Sequence, residues 1–148
     1  ASLSGLKMQT HSLADVVALI SHPGEPRIFS LSEARELLPV IRKLTASASR
    51  ELDPCQLRMR RLLDCDPRLA PLELEFETII RKWVERVQRL GVTVSGLWQI
   101  GFDTGEGYLC WRYPELRLAY FRGYDESLDS RRRLSEVIQE YQPDWAVY

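Results

Sequence analysis

Apolar positions along the chain change period once. From Ala34 onward they recur at alternating steps of four and three: Ala34, Leu38, Ile41, Thr45, Ala48, Leu52, Cys55, Met59 and Leu62. That spacing predicts a helix packed along another helix. Ser30 is a good N-cap for it and Glu33 completes a capping box, with Phe29 placed for a hydrophobic staple. Pro39 should kink this helix, and Asp53-Pro54 marks either a kink or a short break. The register survives past Pro54, which favours a nearly collinear continuation. After a joint at Asp64-Cys65-Asp66-Pro67, or one extending to Pro71, a second stripe carries Leu69, Leu72, Phe76, Ile79, Trp83, Val87 and Leu90. Its early glutamates, Glu73, Glu75 and Glu77, suit the positive end of a helix dipole. Arg86 and Arg89 suit the negative end, and Gly91 stands just past the terminus. Two matched stripes with a short joint predict an antiparallel helical hairpin.

From Val92 the pattern turns extended. Asp103-Thr104-Gly105-Glu106-Gly107 reads as a loop, followed by strands over Tyr108 to Tyr113 and Leu116 to Arg122, with Pro114-Glu115 at the reversal. A β-hairpin over Gly105 to Arg122 is therefore expected to dock on the helices. Both of its faces are partly apolar, so its outer face needs a cover. A last helix is expected to start after Asp129 or Ser130 and to carry Leu134, Val137, Ile138 and Tyr141. It ends at Gln142-Pro143, before an apolar tail of Trp145 to Tyr148. The predicted class is α+β and mainly helical: a long antiparallel helical hairpin packed with a small antiparallel β-hairpin and a C-terminal helix. Residues 28–148 would form one domain. Residues 1–27 would be an N-terminal extension with a short helix over Ser12 to Ile20, and Ala1 to Lys7 reads either as native chain or as a vector-derived leader before Met8.

Composition adds bounds. A chain of 148 residues buries roughly 70% of its unfolded surface, so it needs neither metal nor disulfide to fold. A net charge of −1 argues against a general nucleic-acid binder without excluding a local patch. Cys55, Cys65 and Cys110 are odd in number and lack a Cys-x-x-Cys pair, which suggests reduced thiols in a cytoplasmic protein. The longest early apolar stretch, Val16 to Ile20, is too short for a membrane span.

The run Phe29-Ser30-Leu31-x-Glu33-Ala34-x-x-Leu37-Leu38-Pro39-x-Ile41-Arg42 resembles the opening of a prokaryotic family catalogued as domain of unknown function 2203. So do Leu90-Gly91-Val92 and the block Asp103-Thr104-Gly105-Glu106-Gly107-Tyr108-Leu109-Cys110-Trp111-Arg112. The resemblance covers roughly Phe29 to Leu134. It implies a helical pair with a hairpin and implies no activity. Members often carry Trp-His near the end of the second strand, where this chain has Phe121-Arg122. A role resting on that histidine in relatives would be absent here.

His11, His22 and the three cysteines lack ligand spacing, so no metal and no cofactor is expected. Cys110 has no histidine nearby in sequence, and a packed strand cysteine is the plainer reading. The glycines from Gly101 to Gly107 precede a strand rather than a helix, so turn formation explains them better than phosphate binding. Asp103 and Glu106 are the best-placed carboxylates. The richest surface is the hairpin: Trp98, Trp111, Tyr120, Phe121 and Tyr124 stand close to Arg112, Arg117 and Arg122, with Arg131, Arg132 and Arg133 extending the positive charge. Aromatics with arginines suit protein interfaces and stack on bases, although arginine stems covering core aromatics is the plainer alternative. An arginine run at a helix start would also welcome an anion. The favoured reading is a non-enzymatic interaction or scaffold protein that binds a protein partner or itself, with no membrane. A nucleic-acid-binding accessory protein is the alternative, and a small enzyme with a site near Asp103, Glu106 and Arg112 is the third.

Overall fold

The computed structural model describes residues 27–147. The helix expected over Ser12 to Ile20, with His11 and His22, lies outside the described residues. Helix α1, Leu31–Arg60, opens with the capping box: Ser30 accepts from the Glu33 amide and the Glu33 carboxylate accepts from the Ser30 amide. Those bonds hold the Glu33 carboxyl below the usual carboxylate range. Pro39 and Pro54 both lie inside this one unbroken helix, and both are exposed. Each lacks an amide proton, yet the apolar stripe packed between the layers carries the helix past them.

Helix α2, Leu69–Arg89, packs antiparallel to α1. Ala34, Leu38, Ile41, Leu52, Cys55 and Met59 meet Phe76, Ile80, Trp83 and Val87 in a common core. The one polar member of the α1 stripe is satisfied across the seam, because the buried Thr45 hydroxyl accepts from the Trp83 indole at 2.9 Å and donates to the Ile41 carbonyl at 2.7 Å. At the joint, the Asp66 carboxylate accepts from Arg68, which pulls its pKa down to about 2. Gly91, at φ 92°, ends α2, in a left-handed conformation that suits glycine.

The predicted hairpin is present, but it is the middle of a larger sheet. Strands β1 (Thr93–Gly96), β2 (Gln99–Asp103), β3 (Tyr108–Arg112), β4 (Tyr120–Arg122) and β5 (Arg132–Arg133) form an antiparallel meander in chain order. Three expectations change with it. The extended stretch after Val92 is two paired strands. Leu116 to Ala119 belong to a loop rather than to the second hairpin strand. Arg132 and Arg133 form an edge strand, so the arginine run precedes helix α3, Leu134–Tyr141, instead of opening it. Arg133 caps that helix with extended backbone.

Register sorts the sheet into two faces. Ile100 pairs Trp111 and Phe102 pairs Leu109, which in turn pairs Phe121. This set faces the helices, with Ile100, Phe102, Leu109 and Trp111 fully buried. α3 closes the β4–β5 end with Leu134 and Val137, and the turn Asp144–Ala146 reaches α1 and buries Trp145.

Candidate functional site

The sequence-derived surface splits between the two faces. Trp111 is 0% exposed and donates its indole to the Glu115 carbonyl at 2.8 Å. Phe121, half-buried, stacks on Trp145 with ring centroids 5.2 Å apart. Gly107 permits this, because a Cβ there would run into the Phe121 ring and the Arg122 carbonyl. Trp98 occupies the two-residue turn between β1 and β2 at φ 60° and meets the Trp83 ring edge-on at 4.9 Å. Positive φ is unfavourable for a tryptophan, and that inward contact holds it. Arg132 pairs with Glu140 of α3 at 2.6 Å. A cleft of about 230 Å³ beside it brings Glu106, Phe121, Arg132 and Trp145 together, without Asp103 or Arg112.

On the outer face, arginines lie over tyrosines. Arg131 sits 3.9 Å above the Tyr120 ring and Arg122 sits 4.7 Å above Tyr108. Arg122 also donates to the Glu126 carbonyl at 2.8 Å. Cys110 lies buried between these layers, and burial pushes its thiol pKa up despite the nearby Arg122 and Arg131. A reactive thiolate would need the opposite shift. Asp103 accepts from the Gly105 amide at 2.8 Å and from the Tyr124 hydroxyl at 2.5 Å, so it shapes its loop and fixes Tyr124. Desolvation, with the Asp103 bond second, pushes the Tyr124 phenol up to about 12. Arg112 and Arg133 are exposed, and their guanidinium groups have no partner among the described residues. The outer face is thus layered by its own arginines within one chain. Among the described residues no three His, Cys, Asp or Glu side chains gather as a metal site would require.

A different place gathers uncommitted charge. Glu115 is pinned from three sides: the Arg112 amide donates to it at 3.0 Å, Arg131 donates to both carboxylate oxygens, and its carbonyl accepts the Trp111 indole. This anchors the β3–β4 loop over α1. Leu118 turns into the core, while Leu116 stays 69% exposed. Between loop and helix lies a cleft of about 270 Å³, with Leu38, Pro39, Leu116 and Leu118 as apolar lining and Arg35, Arg42 and Arg117 as its charged lining. No acidic residue lines it, and none of the three guanidiniums has an ion-pair partner among the described residues.

From the sequence, Arg117 belongs to the hairpin surface, Arg42 stands only in the family-like opening run, and Arg35 is not singled out. The signal for Arg35 and Arg42 was available: seven residues apart, they share one helical face and flank Pro39. What joins them to Arg117 is tertiary.

The family described as uncharacterized conserved protein (DUF2203) matches residues 27–134, a span holding every residue of this cleft. No curated protein and no solved structure matches the chain.

Proposed function

The chain belongs to the DUF2203 family of uncharacterized conserved proteins, and we propose that it acts as a non-enzymatic protein-interaction domain whose docking surface is the cleft between α1 and the β3–β4 loop. The observation that carries this reading is the exposed Leu116 beside an apolar floor framed by three unpaired arginines. Apolar anchors and arginines dominate binding energy at protein interfaces, and here both rise from a rigid helix and a pinned loop.

The hairpin surface gives less support to nucleic-acid binding. Arg131 and Arg132 are committed to Glu115 and Glu140, and Arg122 to Tyr108 and a carbonyl. The pinned Asp103 likewise gives little support to a catalytic site there. Three free thiols, with Cys65 exposed, support a reducing compartment such as the cytoplasm. No helix among the described residues is long and apolar enough to cross a membrane.

The test is affinity capture with the wild-type chain, Leu116→Asp and Arg42→Glu, each checked for folding by circular dichroism. The reading expects one protein, identified by mass spectrometry, that both substitutions lose. Equal capture by all three contradicts it.

A further inference from the structure

We infer that the occupant of this cleft is a second copy of the same chain, presenting Glu73, Leu74 and Glu75 from the start of its α2. The inference rests on the docking role proposed for the cleft and names the partner. The cleft calls for an apolar anchor flanked by negative charge. The chain carries such a segment at its own surface: Leu74 is 65% exposed, and neither Glu73 nor Glu75 has an ion-pair partner among the described residues. Leu74 matches the floor of Leu38, Pro39, Leu116 and Leu118, and the two carboxylates match Arg35, Arg42 and Arg117. Opposed charges of this kind set register and exclude wrong partners.

One copy cannot make this contact with itself. The Cys55 thiol reaches the Leu72 carbonyl at 3.2 Å, so the start of α2 lies beside Cys55. The cleft lies around Leu38. At 1.5 Å per residue, the two places are about 25 Å apart along one rigid helix. The inferred dimer is antiparallel about a two-fold axis, so that each cleft meets the partner copy's Glu73-Leu74-Glu75 and the contact is made twice.

The experiment is sedimentation velocity on the full chain over a concentration series, at low and high salt. Wild type forms a dimer that salt weakens. The cleft-reversed variant R35E/R42E/R117E and the segment-reversed variant E73R/E75R each shift the dimer dissociation constant upward by at least about tenfold. Their equimolar mixture dimerises again, because each mutated surface then meets its complement. Leu74→Ser weakens the dimer without changing charge. A wild-type chain that stays monomeric overturns the inference, as does a mixture of folded variants that does not reassociate. A monomeric chain that still captures another protein through Leu116 leaves the docking reading standing and removes only the self-partner. A dimer indifferent to every cleft variant also overturns the inference, and the docking reading then stands or falls on capture through Leu116.

Discussion

Arg131 donates to both carboxylate oxygens of Glu115, at 2.7 and 3.3 Å, with each side chain largely shielded from solvent. The pair ties the β3–β4 loop to the residue just before β5, and so holds Leu116 and Arg117 over α1. Removing the carboxylate leaves Arg131 partly buried without its partner. Glu115→Ala is expected to destabilise the chain by about 1–3 kcal/mol in urea denaturation. It should also raise amide exchange specifically over the loop from Tyr113 to Ala119. Unchanged loop exchange would mean that the pair does not hold the cleft.

The contact between Thr45 and Trp83 is the polar lock between the long helices. Thr45→Val deletes the acceptor and leaves a buried indole N–H unpaired, at an expected cost of about 1–3 kcal/mol. Adding Trp83→Phe removes the orphaned donor, although the smaller ring loses packing. A double-mutant cycle by chemical denaturation isolates the coupling, and additive losses would show that the bond contributes nothing.

Trp111 looks from sequence like an interface aromatic, and the structure places it at 0% exposure. Trp111→Ala should therefore cost about 3–5 kcal/mol of folding stability, visible as a large fall in thermal midpoint. A near-neutral effect on stability would argue that the ring is not core.

Tyr124 carries a pH signature. Its phenol is raised from 10.0 to about 12 in the folded chain, by desolvation first and then by the bond to Asp103. The folded state thus holds this proton more tightly than the unfolded state. Its contribution to stability is full below pH 10 and is lost as the pH rises through 12. Ultraviolet titration of the tyrosinates should show a late step that Tyr124→Phe abolishes and Asp103→Asn lowers only in part. A late step that survives Tyr124→Phe would refute the assignment.

Much of this architecture is written locally. The capping box at Ser30 and Glu33, the stripe from Ala34 to Met59, and the end of α2 at Gly91 depend on neighbours within a few residues, and sequence periodicity reports such neighbours directly. The sheet is harder to read. β5 is two arginines, with no alternation to detect, and its place follows from pairing with Tyr120 and Phe121. Leu116 to Ala119 have strand-like composition, yet the bonds to Glu115 pull that stretch into a loop. The cleft was the least legible feature. It joins Arg35 and Arg42 to Leu116 and Arg117 across most of the chain, a juxtaposition set by tertiary packing.

Occupancy of the cleft is tested most directly by site-specific photo-crosslinking in cells from position 116, with the probe at exposed Leu63 as a control. A discrete adduct from position 116, identifiable by mass spectrometry, is expected. That adduct should be lost in R42E/R117E and absent from the control position. The absence of a discrete adduct from position 116, or one that persists unchanged in the arginine variant, would contradict it.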